Sequence, residues 1–247
     1  MNQRGICPVC HGGSEREESF SSLVDETGIA YAGRCWRASC GYTFGTRSFL
    51  PATTRPERKH FTADTEALTP ERATWFYETF GYDHPNLRYA PSLDRFVYEV
   101  LSPTGKSLGF VARSFSGAKP KSLSYPSSWD TPFIGWASSP RGATPVVIVE
   151  DWVSAEKVSE AGARGVALNG THFSLQMATE VADIAAGQQV LLALDQDAYG
   201  KALDYALRYG GSFRPPLKLW RLGMDLKYEP VEKIRRALRD GEYDFVG

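Results

Sequence analysis

Apolar residues recur in more than one rhythm along this chain of 247 residues. Between Arg95 and Arg113 the runs RFVYEVL and SLGFVAR flank the turn SPTGK, which predicts an antiparallel hairpin. Thr69-Pro70-Glu71 has the signs of a helix start: a hydroxyl N-cap, Pro at the first helical position and an acid facing the helix dipole. That helix carries Trp75, Phe76 and Phe80 and is expected to stop near Gly81. From Pro145 onward the pattern changes. VVIV, VAL, VLLAL and LKLWRL are short apolar runs, each followed by a polar turn and a helical stretch, which argues for a parallel, wound α/β sheet. A last helix, from about Pro230 to Arg239, is expected to pack beside that sheet. No fixed-period repeat is present.

The first 50 residues hold every cysteine and read as short strands joined by turns. The stretch Pro51 to Leu68 is rich in Pro, Thr and charge and lacks apolar periodicity, so a flexible linker is expected there, basic around Arg55, Arg58 and Lys59. The expected organisation is a small cysteine unit at 1–50, a linker at 51–68, an α+β segment at 69–142 and the wound sheet at 143–247. A hydrophobic share of 42% and a charged share of 23% are ordinary for a globular protein. The formal net charge of −1 means that any basic surface must be local. No run of about eighteen apolar residues suggests a membrane span, and MNQRGICPVC lacks the apolar core of a secretory signal. A cytoplasmic location is therefore expected. Paired thiols in such a reducing compartment more often hold metal than form disulfides.

Cys7 and Cys10 form a C-x-x-C knuckle, and Cys35 and Cys40 form a looser C-x-x-x-x-C pair. Two such knuckles suit one structural zinc ion: thiolates are soft ligands, and so short a segment buries little apolar surface without metal. His11 is surplus, because four thiolates complete the shell. Arg34, Trp36, Arg37, Tyr42, Phe44 and Arg47 interleave basic and aromatic character around the knuckles, a composition suited to phosphate contact and base stacking. Trp36 and Phe44 have an equally good reading as the mini-core of this unit. Arg34, Trp36, Arg37 and Arg47 are the candidate DNA contacts.

The second candidate site is acidic. Glu150 ends the first wound strand in VVIVEDW, and Asp195 and Asp197 follow the third in VLLALDQDAYG. Ligands of a wound parallel sheet gather at the carboxyl ends of its strands, so these acids can meet although distant in sequence. A D-x-D there can present both carboxylates to one hard cation while the middle residue turns away, and oxygen ligands suit Mg²⁺ or Mn²⁺. Asp225, in RLGMDLKYEP, adds a further acid at the same edge.

The order Glu150, then Asp195-x-Asp197, then a G-x-D turn at Asp225 resembles the Toprim domain of DnaG-type primases, topoisomerases and some nucleases. The segment GFVARSFSGAKPKSLSYP resembles the bacterial primase stretch that leads into a Lys-Pro-Lys loop, LNGTHFS resembles the Gly-Thr loop after the second Toprim strand, and a zinc module precedes both. The resemblance covers about residues 5 to 240 and points to bacterial and phage primases. It departs in places. Where the family reads E-G-x-x-D, this chain has Glu150-Asp151-Trp152-Val153-Ser154, and where family members carry a basic F-H-K-G-like turn it has the uncharged Phe133-Ile134-Gly135-Trp136.

The resemblance implies an α/β protein: a small N-terminal zinc ribbon plus a Toprim-containing primase core with a parallel wound sheet and an N-terminal α+β subdomain. It implies synthesis of short RNA primers on a single-stranded DNA template from nucleoside triphosphates. Glu150, Asp195 and Asp197 would be the catalytic acids holding Mg²⁺ or Mn²⁺, with Asp225 contributing from outside. Arg113, Lys119, Lys121 and Lys201 would bind the phosphates of nucleotides or primer; as plain residues the lysines also read as a solvated loop and Arg113 as an exposed strand end. No G-x-x-x-x-G-K-[ST] motif is present, so a separate replicative helicase is the expected partner and a phage or mobile element the expected source. Two other readings stand beside it: a catalytically inactive Toprim and zinc protein that binds DNA as a regulator, and a Toprim nuclease.

Overall fold

The computed structural model describes residues 2–10, 20–35, 40, 42–45, 60–84, 86–126, 131–137, 145–241 and 244–245. The chain divides into two compact units, Met1–Arg58 and Lys59–Gly247. Of the sequence-based site candidates, Trp36, Arg37 and Arg47 lie outside the described residues, as do His11 and the basic linker residues Arg55, Arg58 and Lys59.

The first unit is a four-stranded antiparallel sheet in which β1 (Asn2–Gly5), β2 (Phe20–Val24), β3 (Ala30–Cys35) and β4 (Thr43–Phe44) lie in sequence order. Asp25 closes the β2–β3 turn: its Oδ1 accepts from the backbone N–H of Thr27 and Ile29 at 2.9 and 3.0 Å. The rings of Phe20, Tyr42 and Phe44 stack on one another with centroids 6.0–6.4 Å apart. Gly33 permits this packing, since a Cβ there would lie 2.5 Å from both Phe20 and Phe44. Among the described residues the buried cluster is Cys7, Phe20 and Cys35, with Cys40, Tyr42 and Phe44 against it. Phe44 is thus the mini-core residue of the two readings offered by the sequence.

The second unit holds two sheets. β5 (Glu66–Ala67), β6 (Arg88–Ala90), β7 (Arg95–Leu101), β8 (Ser107–Arg113) and β9 (Ser122–Pro126) form an antiparallel sheet in sequence order. Helix α1 (Pro70–Phe80) lies between β5 and β6; the Thr69 hydroxyl caps it and Gly81, in the left-handed region, ends it. The other sheet comprises β10 (Gly135–Trp136), β11 (Val146–Val149), β12 (Arg164–Ala167), β13 (Val190–Ala193), β14 (Lys218–Leu219) and β15 (Asp244–Phe245), in the order β10-β12-β11-β13-β14-β15. β12, β11, β13 and β14 run parallel, and the two edge strands run antiparallel to them. Helices α2 (Trp152–Glu160), α3 (Leu175–Ala185), α4 (Tyr199–Tyr209) and α5 (Val231–Asp240) complete the unit.

β11 shows why its sequence reads as an unbroken apolar run. Val147 and Val149 belong to a cluster with Phe76, Phe80 and the α2 residues Val153 and Val158, whereas Val146 and Ile148 join Val181 of α3 and Ala202 of α4. With both faces covered, no position is left for a polar residue. Gly165 lets α2 lie close on β12, because a Cβ there would meet the Ala155 carbonyl oxygen at 2.0 Å. The wound sheet, the hairpin and the terminal helix agree with the sequence expectation. The expected linker ends earlier: Phe61 packs against Phe110 and Tyr125 at 5.1 and 5.2 Å, and Glu66–Ala67 form β5. Among the described residues no helix is long and apolar enough to cross a membrane.

Candidate functional site

In the first unit the Sγ atoms of Cys7, Cys10, Cys35 and Cys40 all lie within 4.8 Å of one another. Cys7 and Cys40 are 3.7 Å apart, and Cys10 and Cys35 are 3.9 Å apart. A regular tetrahedron with Zn–S bonds of about 2.3 Å has S···S edges of about 3.8 Å, so the spacing fits one zinc ion. Disulfide-bonded sulfurs would sit near 2 Å, so neither of these pairs is a disulfide. Cys7 is lowered to about 7: burial raises it, but N–H donors of Cys10 and Val9 outweigh burial. For Cys40 the Tyr42 amide pulls down, yet burial and the neighbouring thiols prevail and push it up to about 12. Four thiolates cannot share so small a volume without a cation. Arg34 lies on β3, exposed, opposite Ser21 and Thr43.

In the second unit the strand order places β11 between β12 and β13, so successive crossovers diverge from it and a crevice opens beyond its carboxyl end. Glu150 sits there, immediately after β11. The Gly170 N–H donates to its backbone carbonyl at 3.0 Å, placing the 169–171 turn beside it. Glu150 Oε2 is buried and has no hydrogen-bond partner. Burial, with Asp195 adding, raises the Glu150 carboxyl above its ordinary value.

Asp195 precedes, and Asp197 lies within, a single 3-10 turn (Gln196–Ala198) between β13 and α4. The middle residue binds a neighbouring loop: Gln196 Nε2 donates to the carbonyls of Leu222 and Gly223, and its backbone N–H donates to Asp225 Oδ1 at 3.3 Å. These bonds fasten the D-x-D turn to the loop that carries Asp225. Asp195 is half-buried and Asp197 is exposed.

What the sequence did not predict is the partner of these acids. Lys227, only 4% exposed, directs its ammonium at three carboxylates. Nζ donates to Asp195 Oδ2, lies 3.0 Å from Asp225 Oδ2 and lies 3.3 Å from Asp151 Oδ2. Asp151, which stands where the resembling family has glycine, caps α2 by accepting the Ser154 N–H at 3.1 Å. Arg113 Nη1 is 3.9 Å from Asp151 Oδ2, so the guanidinium expected to meet phosphate belongs to the acid cluster. Burial raises Asp225, but the Lys227 ammonium outweighs it and holds that carboxyl below its ordinary value. Burial also opposes charge on Lys227, and the surrounding acids overcome it and raise it.

A second buried lysine supports the first. Lys157 of α2 donates to the carbonyls of Phe80 and Lys227 at 2.7 and 3.0 Å, tying the end of α1 to the 225–228 turn. Burial pushes its ammonium down to about 8.

Lys119 and Lys121 are exposed in the loop between β8 and β9, whose backbone is held by Arg95 donating to the Pro120 carbonyl at 2.7 Å. Lys201 of α4 donates to Thr171 Oγ1 at 2.8 Å, beside the turn that adjoins Glu150. Among the described residues, the cysteines are the group of His, Cys, Asp or Glu side chains whose ligand atoms converge within 4.8 Å. The carboxylates surround Lys227 instead. The fit to a hard divalent ion therefore rests on the buried, unpartnered Glu150 Oε2. A cavity of about 600 Å³ also lies in this unit, lined in part by Tyr98, Trp136, Trp152 and Asn169.

No family model matches the chain, and no curated protein matches it. Solved structures do. The Aquifex aeolicus primase, comprising zinc-binding and RNA polymerase domains, is 19% identical over 66% of this chain and 45% of its own, with a TM-score of 0.48. A DnaG primase catalytic domain bound to single-stranded DNA is 18% identical over 71% of this chain and 60% of its own, with a TM-score of 0.48. The RNA polymerase domain of Mycobacterium tuberculosis primase DnaG is 17% identical over 68% and 62%, with a TM-score of 0.47. The chain thus spans roughly half of the length of the structures it resembles.

Proposed function

We propose that this chain is a DNA primase, joining nucleotides into short RNA primers on a single-stranded DNA template, with one zinc ion in the cysteine unit. The observation that carries the reading is the acidic crevice at the carboxyl end of β11, where Glu150 Oε2 is buried without a partner and Asp195 lies close enough to raise its proton affinity. The Toprim-like order of acids, the Lys-Pro-Lys loop and the preceding cysteine knuckles support it. Glu150, Asp195 and Asp197 would hold Mg²⁺ or Mn²⁺, which when bound supplies charge neutralisation for a transferring phosphate. Glu150 would serve either as a ligand of that ion or as the base of the metal site, taking a proton from a 3′-hydroxyl. Lys119, Lys121 and Lys201 present ammonium groups to phosphates. Arg113 acts on Asp151 and so positions the acids. Arg34, an exposed residue of β3 in the cysteine unit, offers a template contact.

A second reading, a catalytically inactive DNA-binding regulator, draws on one observation: Lys227 already occupies a cation position among the acids. Incubation with single-stranded templates, labelled nucleotides and Mg²⁺ or Mn²⁺ separates the two. Template-dependent oligomers, absent with Asp197→Ala, are expected. Template binding without any oligomer favours the regulator.

A further inference from the structure

We infer that Lys227 is a built-in cation of the acidic crevice, so that this site takes one divalent ion and not two. The inference rests on the primase reading for the identity of the site, and on donor geometry for the count. An ammonium has three N–H donors, and three carboxylates, Asp151, Asp195 and Asp225, surround that of Lys227.

The second oxygen of two of those acids is also committed. Asp151 Oδ1 accepts the Ser154 N–H at 3.1 Å, and Asp225 Oδ1 accepts the Gln196 N–H at 3.3 Å. With one oxygen on Lys227 and the other on backbone, Asp225 has no oxygen left to give a metal without breaking a bond that fixes a turn; Asp151 Oδ2 accepts no hydrogen bond but faces the Lys227 ammonium at 3.3 Å, so an ion reaches it only by displacing that ammonium. Asp195 differs. It makes no side-chain capping bond to the backbone, so it can serve Lys227 through Oδ2 and an ion through Oδ1. What remains for a metal is Asp195 Oδ1, Asp197 and Glu150, whose Oε2 is buried and unpartnered. These carboxylates do not converge within 4.8 Å as the cysteines do, so at most one ion, completed largely by water or phosphate, fits them, in keeping with the few protein carboxylates Mg²⁺ ordinarily takes.

The position of Lys227 is fixed. Its turn is closed by the Tyr228 N–H donating to the Asp225 carbonyl at 2.9 Å, and its own carbonyl accepts from Lys157 at 3.0 Å. A second divalent ion near Asp225 would have to displace a buried ammonium held by three carboxylates, or sit beside it against like-charge repulsion. Lys227 is on this account a positioning residue. It supplies permanently, from the chain, positive charge that a second ion would otherwise bring.

The test counts ions. Zinc-loaded full-length protein is titrated with Mn²⁺, and free Mn²⁺ is read from its room-temperature EPR signal, with no reliance on activity. One Mn²⁺ beyond the zinc is expected for the wild type, lost in Asp197→Ala. Lys227→Gln, which keeps a polar side chain but removes the charge, should bind the first Mn²⁺ at least about tenfold more tightly or admit a second. Two ions in the wild type overturn this inference and leave the primase reading standing. No ion in the wild type overturns both. A folded Lys227→Gln with unchanged count and affinity overturns the inference. If that variant does not fold, the wild-type count decides.

Discussion

The two candidate metal sites solve the same electrostatic problem in opposite ways. In the cysteine unit four thiol groups converge within 4.8 Å of one another, whereas in the wound sheet Asp151, Asp195 and Asp225 surround Lys227. The first group cannot ionise together unless an ion arrives from solution; the second is partly neutralised by the chain itself. Core size follows the same division. Among the described residues the cysteine unit buries Cys7, Phe20, Val24, Ala32 and Cys35, while the second unit has two extensive apolar clusters that meet across β11. A metal is therefore expected to be part of the fold in one unit and part of the chemistry in the other.

The largest effect should come from removing the metal of the cysteine unit. Structural zinc contributes roughly 10–16 kcal/mol of apparent folding free energy in small zinc modules, far more than the Phe20–Tyr42–Phe44 stack can replace. About one zinc per chain is expected in protein never exposed to chelator. A strong chelator under reducing conditions, or Cys35→Ser, should abolish protection of the β2–β3 amides in hydrogen exchange and leave β11 and β13 protected. Protection surviving in β2–β3 would mean that the small sheet stands without metal and that the contrast between the units is false.

Next in size, Asp195 and Asp197 should separate function from stability. Either alanine variant is expected to lower primer yield by about 10²–10³, the scale of several kcal/mol of lost charge stabilisation. Their melting temperatures should differ. Asp195 is a hydrogen-bond partner of the buried Lys227, and its loss should cost about 1–3 kcal/mol. Exposed Asp197 should be replaceable within about 0.5 kcal/mol. From the sequence alone the two acids would look equivalent, with their loss neutral or slightly stabilising in metal-free protein. Lys227 reverses that expectation for Asp195.

That reversal marks where the sequence stops being informative. The 95–113 hairpin is legible because apolar spacing and a Thr-Gly turn are local, and the strand ends of β11 and β13 are legible because both-face burial leaves an unbroken apolar run. Lys227 is not legible. A lysine in the turn DLKYEP reads as solvated, and its burial depends on acids that follow β11 and β13, some 76 and 32 positions earlier. Asp151 was visible as a departure from the family pattern, but its meaning required Lys227. Phe61 and Glu66–Ala67 sat within a stretch whose composition reads as linker, and only pairing with β6 and contact with Phe110 reveal them as part of the second unit. Strand β14 shrinks from the run LKLWRL to Lys218–Leu219 for a similar reason, since neighbouring strands decide where pairing ends.

A smaller effect concerns the lysine beneath Lys227. Burial pushes Lys157 down to about 8 from an ordinary 10.5. Between those values the unfolded chain holds more protons than the folded one, so this group makes stability rise with pH across that window. Lys157→Met should remove that rise while costing about 2 kcal/mol near pH 7, where the carbonyls of Phe80 and Lys227 lose their donor. Melting curves of both proteins at pH 7.5, 9 and 10 check this. Parallel curves would mean that Lys157 titrates as it does in water.

The smallest expected effect tests whether Glu150 is truly left without a resident cation. Its carboxyl is raised above the ordinary 4.5, by burial first and then by Asp195. For an acid raised on folding, the folded state binds the proton more readily, so between the ordinary and the raised value stability falls as pH rises. At neutral pH the charged Glu150 is then a net cost to the metal-free protein. Glu150→Gln should therefore raise the melting temperature of the metal-free protein at pH 7. The advantage should shrink as pH falls, vanishing below 4.5, where both forms are neutral. Added Mg²⁺ should reverse the order, because an ion that binds only the folded wild type stabilises it by mass action and the amide variant binds it more weakly. Melting temperatures at pH 7 and pH 5, with and without Mg²⁺, give the sign in each case. A Gln variant that is less stable at pH 7 without metal would show that Glu150 already has a cationic partner, and the difference between the two sites would then be one of ligand chemistry alone.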